Sequence, residues 1–424
     1  MTPMFTFLHA ADLHLDSPMH KLEAYEGAPV EELRHATRRA LENLVRLAVS
    51  EGVAFVVVAG DLYDGDWRDY NTGLHFTAQM GKLRDAGIPV FLVSGNHDAA
   101  SRITRTLRLP EGVHLFPSDR SDTLLLDDPE VAVHGQSFAS PAVRKDLAAG
   151  YPGRVPGRFN VGLLHTCATG REGHEPYAPC SLETLRDKGY DYWALGHVHR
   201  REVLLEEPLV VFPGNTQGRH VRETGAKGCV AVSVDDRGRA RASFRPLDAA
   251  RWFVEEIDAS EAAGGYDVID GAAERFEALL EENPGLPLVV RVRITGASPA
   301  HEALASDVEQ WTNEVRAAAL ETGGGRVFVE KVQVRTRPPG TAGTGAAASG
   351  PVRELLQVLD EIGSDPEALV SLGGVLDDLQ RKLPRELREA EGAPAPDDPD
   401  WVRGVLDQVR PMLVRRLVRE ERSA

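Results

Sequence analysis

The first half of the chain alternates continuous apolar runs with amphipathic stretches. Phe5–Ala11 (FTFLHAA) reads as a first strand. It is followed by a helical pattern over Glu31–Glu51, with Leu33, Leu41, Leu44, Val45 and Ala48 on one face. Val53–Ala59 (VAFVVVA) is an unbroken β-branched and apolar run, the mark of a strand buried on both faces. A helix over Thr72–Ala86 leads to another buried strand, Ile88–Val93. Val131–His134, Val161–His165 and Tyr190–Leu195 continue the series, and Leu209–Phe212, Cys229–Val234 and Ala240–Phe244 form a strand-rich stretch. Strands separated first by helices and then by short turns predict a layered α/β sandwich with helices packed outside.

After Pro246 the texture changes. Trp252–Ile257, Pro287–Ile294 and Arg326–Val334 read as strands, with helices at Ala272–Glu281 and Glu302–Leu320 between them. This βαβαβ run predicts a small α+β domain. Pro338–Gly350 (PPGTAGTGAAASG) has no periodicity and the composition of a flexible linker. Beyond it, Val352–Leu359, Asp365–Leu383 and Asp400–Arg419 carry Leu and Val at helical spacing, interrupted by Gly392–Pro399. The expected division is 1–246, 247–337, the linker 338–350, and a helical region 351–424.

Composition narrows the class. Of 424 residues 42% are hydrophobic and 27% charged, ordinary for a soluble globular protein. No apolar run is long enough to span a membrane, and the N-terminus lacks the pattern of a secretory signal. The three cysteines, Cys167, Cys180 and Cys229, lack CxxC spacing and predict small buried hydrophobes in a reducing cytoplasm. The formal net charge of −17 opposes broad, nonspecific binding of nucleic acid. It leaves room for a local basic groove, or for metal ions that neutralise phosphate.

The candidate chemistry lies at the ends of predicted strands. Asp12-Leu13-His14 closes the first strand, and in extended chain its outer two side chains point the same way. Gly60-Asp61-Leu62-Tyr63-Asp64 follows the VAFVVVA run, putting Asp61 where open α/β sheets place ligands. Gly95-Asn96-His97-Asp98 follows Ile88–Val93, His165 ends Val161–His165, and Gly196-His197-Val198-His199 ends Tyr190–Leu195. Each motif alone is as easily a surface turn, a helix cap or a core histidine. Together they collect carboxylates, an amide oxygen and imidazoles without a thiolate, a set suited to manganese, iron or zinc. Seven such donors are too many for one ion and natural for two, and two ions about 3.5–4 Å apart serve phosphoester hydrolysis.

In this order, DxH, GDxxD, GNHD, a lone His and GHxH resemble the calcineurin-like metallophosphoesterase superfamily, over about Phe5–Phe244. The resemblance implies a four-layer β-sandwich flanked by helices, and a hydrolase with two divalent ions, Mn2+ before Fe, Zn or Mg. It implies that Asp12, His14, Asp61 and His199 hold the first ion. Asp61 bridges to a second, held by Asn96, His165 and His197. His97 would sit at the substrate and protonate the leaving oxygen, and Asp98 would orient it by accepting its other ring proton. Asp64 is open between helix capping, a supporting hydrogen bond and metal contact. The remaining histidines (His9, His20, His35, His75, His114, His134, His174, His220 and His301) are expected on the surface or in the core.

Ala10–Pro18, Phe212–His220 and the following βαβαβ unit further resemble bacterial DNA repair exonucleases of the SbcD and YhaO type, YhaO more closely. The Asp16-Ser17-Pro18 sequence departs from the usual SbcD pattern. What this resemblance implies is a DNA exonuclease or endonuclease, a capping domain that steers DNA, an SMC-like ATPase partner and a homodimer. The sequence contains no GxxxxGK[ST] phosphate loop, so the ATPase would be a separate chain. The C-terminal helices are either its docking elements or a subdomain packed on this chain. Arg219 is either a phosphate contact or a surface ion pair. The alternatives to a nuclease are a small-molecule phosphodiesterase or phosphatase, and a silent scaffold, which would be expected to have lost ligands.

Overall fold

The structure, a computed structural model, describes residues 4–17, 33, 35–64, 70–100, 109–168, 177–339, 350–383, 395–406, 409, 410 and 413. His20, His174, residues 340–349 of the expected linker, residues 392–394 of the expected break and the end of the last expected helix lie outside these.

Two six-stranded mixed sheets dominate. The first is ordered β12-β11-β1-β2-β3-β4. It comprises β1 (Phe5–Ala10), β2 (Phe55–Ala59), β3 (Val90–Val93), β4 (Val113–Leu115), β11 (Gly228–Val234) and β12 (Ala240–Pro246). The second is ordered β5-β6-β7-β8-β10-β9. Its strands are β5 (Asp122–Asp127), β6 (Glu130–Gly135), β7 (Phe159–His165), β8 (Tyr192–Gly196), β9 (Glu202–Glu206) and β10 (Leu209–Phe212). β1 to β4 run parallel, as do β6, β7, β8 and β10.

Alternation builds the layers. Along β1 and β2, Phe5, Phe7, Phe55 and Val57 point inward to meet Val133, Val161, Tyr192 and Val211 of the facing sheet. Leu8, Ala10, Val56 and Val58 point outward, where Leu41, Leu44, Val45, Phe76 and Met80 cover them. Those five residues come from the helices α1 (Ala36–Glu51) and α2 (Tyr70–Asp85). The outer face of the second sheet is covered around Tyr151, Leu185, Tyr190 and Trp193. Strands buried on both faces explain the unbroken apolar runs in the sequence. Between the sheets Phe7 stacks on Phe55 at 4.5 Å and meets Tyr192 edge-on at 5.3 Å. Truncating such a buried aromatic costs about 3–5 kcal/mol.

His9 is a core residue. Its Nε2 donates to the Leu195 carbonyl (3.2 Å), leaving Nδ1 to accept from the Tyr192 hydroxyl (2.8 Å), and burial pushes it down to about 3.

A three-stranded sheet, β13-β14-β15, follows: β13 (Arg251–Asp258), β14 (Leu288–Thr295) and β15 (Val327–Val334). Helices Gly265–Glu282, His301–Ser306 and Val308–Gly323 lie between its strands in sequence. The chain divides into two compact units. One is Met1–Glu255 with Gly271–Arg293 and Thr312–Gln333; the other is Glu256–Asp270 with Ile294–Trp311 and Val334–Ala424. In the second unit, the expected single helix Asp365–Leu383 is instead Pro366–Gly373, a short tight turn over Gly374–Leu376, and Asp377–Lys382. The adjacent Gly373 and Gly374 account for the break. No helix of the described residues is long and apolar enough to cross a membrane.

Candidate metal centre

All five motifs arrive at one edge of the sandwich because their strands run parallel and end there. Asp12, Asp61 and Asn96 follow β1, β2 and β3 of one sheet; His165 ends β7, and His197 and His199 follow β8 of the other. The sheets are tied at this edge. His165 Nδ1 donates to the Ala59 carbonyl at 2.9 Å, and the His197 N–H points at both Asp12 carboxylate oxygens at 3.1 Å. A Cβ on Gly196 would collide with the Ala59 carbonyl, so only glycine lets the two strand ends approach this closely.

The ligands do not converge by strand alternation. Asp12 (φ 52), His14 (φ 43), Asp61 (φ 50) and His197 (φ 102) occupy left-handed backbone, at about 1–3 kcal/mol each. Hydrogen bonds hold them there: Asp12 N–H to the Gly60 carbonyl and His14 N–H to the Asp61 carbonyl, both at 3.0 Å. Strain gathered on four prospective ligands is how a preformed site differs from an ordinary turn.

Two donor groups result, each with its atoms within 4.8 Å of one another: Asp12, His14 and His199, and Asp61, His165 and His197. In the first, His14 Nε2 and His199 Nε2 are 3.1 Å apart. In the second, His165 has committed its Nδ1 proton to Ala59, so its Nε2 offers a lone pair. That lone pair faces Asn96 Oδ1 at 3.0 Å and Asp61 Oδ2 at 3.4 Å. Three acceptors aimed at one another repel unless a cation lies among them, and this is the fit of the donor set to metal. Asp61 Oδ2 also stands 3.9 Å from His14 Nε2, so one oxygen addresses both groups. A third group, His14, Asp64 and His97, meets the same spacing.

The electrostatics agree. Burial first, then the Asp61 charge, pushes the Asp12 carboxyl well above the usual range. Burial raises Asp61 to about 6. Burial lowers His165 to about 3 and holds His14 and His199 below the ordinary histidine range. Neutral imidazoles beside carboxylates that are costly to ionise make a site that divalent cations stabilise.

The profile of calcineurin-like phosphoesterases matches residues 5–201, and that of the middle domain of the metallophosphoesterase YhaO matches residues 252–337. YhaO of Bacillus subtilis is 35% identical over 298 residues, 69% of this chain and 72% of that protein. The chain is a calcineurin-like metallophosphoesterase. Its family is dimetal-dependent, and the chain is a metal-dependent hydrolase. The DNA double-strand break repair protein Mre11 of Methanopyrus kandleri is 26% identical over 357 residues, 76% of this chain and 69% of that one. Among solved structures, a dimetal phosphatase from Danio rerio is similar over 57% of this chain and 99% of its own, at 13% identity and a TM-score of 0.37.

Within this metallophosphoesterase one expected role changes. Asp98 does not orient His97. Its Oδ2 accepts the Leu62 (3.1 Å) and Gly95 (3.0 Å) N–H groups, and its Oδ1 accepts that of Tyr63 at 3.0 Å. Adjacent residues of a helix do not face each other. On α3 (Asn96–Ala100) the Asp98 side chain turns back over its own N-terminus, stitching the loop after Asp61 to Gly95, just ahead of the helix. Burial, then the Asp61 charge, lifts its carboxyl to about 7.

Asp64 takes the place expected of Asp98, with Oδ1 2.9 Å from His97 Nδ1. Its Oδ2 accepts from the Ser17 hydroxyl at 2.5 Å and faces the Arg219 guanidinium at 3.5 Å. Burial works to raise Asp64, but hydrogen bonds from His14 and His97 overcome it and hold the group well below the carboxylate range. His97 is raised in turn by Asp64. Arg219 sits between Asp64 and the buried Glu223, which its Nη2 meets at 3.3 Å. Sequence reasoning missed Glu223, which lies in an irregular segment with no motif to mark it.

Proposed function

We propose that this metallophosphoesterase hydrolyses DNA phosphodiester bonds with manganese. The observation that carries the reading is Asp61 Oδ2, which faces His165 Nε2 at 3.4 Å and His14 Nε2 at 3.9 Å, beside a half-exposed His97. Asp12, His14 and His199 would hold one ion and Asn96, His165 and His197 the other, with Asp61 between them. Two divalent cations supply Lewis acidity, making a water nucleophilic at neutral pH and offsetting phosphoryl charge.

The chain's own residues do the rest. Asp64 holds Nδ1 of His97, leaving Nε2 to give its proton to the leaving oxygen as the phosphorus–oxygen bond breaks. A water oxygen forms the new bond to phosphorus on the opposite side. Asp98 ties the loop after Asp61 to the start of α3, which carries Asn96.

DNA as substrate is supported by similarity to a protein named for double-strand break repair. As part of the same reading, an SMC-like ATPase is supplied by another chain, the protein forms a homodimer, and it works in the cytoplasm. The three cysteines are buried, as small apolar residues would be, which fits a reducing compartment.

The test is hydrolysis of linear double-stranded and single-stranded DNA by the full chain with manganese, magnesium or chelator. Manganese-dependent degradation that vanishes in Asp61→Ala is expected. Hydrolysis of bis-p-nitrophenyl phosphate with DNA left intact, even with the ATPase present, would overturn the DNA reading in favour of a small-molecule phosphodiesterase.

A further inference from the structure

Glu223 is 5% exposed and carries four hydrogen bonds, two to each oxygen. Oε1 accepts from His199 Nδ1 at 2.7 Å and from Arg219 Nη2 at 3.3 Å. Oε2 accepts from Asn215 Nδ2 at 2.9 Å and from the Arg219 backbone N–H at 2.8 Å. A carboxylate has about four acceptor sites and no donor. Every one is filled here by a donor, so glutamine, with an NH2 in place of one oxygen, would turn a donor toward a donor.

The consequence falls on His199. With Nδ1 bound to Glu223, the proton is fixed on that nitrogen, and Nε2 presents its lone pair toward His14 Nε2 and the Asp12 carboxylate. The Asn215 contact anchors Glu223 from below, because Asn215 is buried and bridges to Ala11 at the end of β1. Arg219 extends the link: its guanidinium touches Glu223 on one side, and Ser17 (3.3 Å) and Asp64 (3.5 Å) on the other. One chain of contacts thus runs from His199 through Glu223 and Arg219 to Asp64 and His97.

We propose that Glu223 is the positioning residue of the first metal pocket: it selects the His199 tautomer and ring orientation, and through Arg219 ties that pocket to the Asp64–His97 pair. Arg219 then serves mainly as a strut rather than as a phosphate contact. The inference rests on the two-metal reading and deepens it. A histidine ligand's hydrogen-bonded carboxylate is commonly worth about 10–100-fold in metal affinity.

The experiment is calorimetric titration of the metal-free full chain with Mn2+, paired with electron paramagnetic resonance of the bound ions. The parent should bind two ions as a magnetically coupled pair. In Glu223→Gln and Glu223→Ala one site should weaken by about 10–100-fold, the other should change by less than about threefold, and the coupled signal should give way to that of an isolated ion. Glu223→Gln, nearly isosteric, carries the test should Glu223→Ala not fold. Unchanged affinity at both sites overturns the proposal. So does an equal loss at both sites that follows the melting temperature, which would make Glu223 merely structural. A parent that binds fewer than two ions sinks the two-metal reading itself, and the inference with it.

Discussion

Asp64 Oδ1 lies 2.9 Å from His97 Nδ1, and this pair joins residues 33 positions apart, one in the loop after β2 and the other in the first turn of α3. It leaves His97 with one nitrogen for substrate. His97→Ala should therefore keep both metals while DNA hydrolysis falls by about 10²–10⁴-fold, the usual worth of general acid catalysis. Bis-p-nitrophenyl phosphate, whose leaving group needs no proton, should lose far less. Comparing the two substrates checks the assignment, and equal losses on both would refute it. Asp64→Asn should lie between His97→Ala and the parent on DNA.

Asp98 should matter to stability more than to chemistry. Asp98→Ala leaves the N–H groups of Leu62, Tyr63 and Gly95 without their acceptor. At about 1–3 kcal/mol for each orphaned donor, a loss of several kcal/mol is expected. Urea unfolding of the variant measures it. A stable Asp98→Ala with low turnover would restore the direct role first assigned to this residue.

Metal uptake should release protons from carboxyls, not imidazoles. Asp61 is raised from 3.8 to about 6 in the metal-free protein, and Asp12 is raised well above the usual range. His165, at about 3, is already neutral. Between pH 3.8 and 6 the folded Asp61 binds more protons than the unfolded one, so its contribution to metal-free stability falls as pH rises through that window. Bound metal removes that cost. The melting-temperature gain on adding Mn2+ should thus grow from pH 5 to pH 7 and then level off. Calorimetry in buffers of different ionisation enthalpy should show proton release at pH 6, and its absence there would contradict the carboxyl assignment.

Gly196→Ala tests the closeness of the two sheets. The new methyl group meets the Ala59 carbonyl, which is backbone and cannot swing aside. Overpacking of this kind costs about 1–3 kcal/mol. Metal affinity should fall with it, because Asp61 follows that carbonyl by two residues while His197 follows Gly196 by one. Thermal melts and Mn2+ titration measure the two effects.

The sandwich and the donor set were legible because doubly buried strands appear as unbroken apolar runs, and the parallel ones deliver their ligands at the C-terminal end. The strands that went unforeseen, β4, β5 and β9, are all sheet edges. β5 (DTLLLD) and β9 (EVLLE) are half exposed, and β4 has only three residues, so none prints a buried run. Asp98 was misread because neighbours in sequence diverge on a helix. The role of Asp64 stayed open among three readings, and Glu223 escaped notice, because their partners, His97 and His199, are reached only through tertiary folding.

The two groups assigned to the ions draw ligands from both sheets: Asp12 and His14 against His199, and Asp61 against His165 and His197. A bound ion at either place is therefore a rivet through the two plates of the sandwich. Opening that edge would mean breaking coordination bonds as well as separating apolar faces. The same ions that prepare the chemistry would make the loaded protein slower to come apart, and metal depletion would cost it durability along with activity.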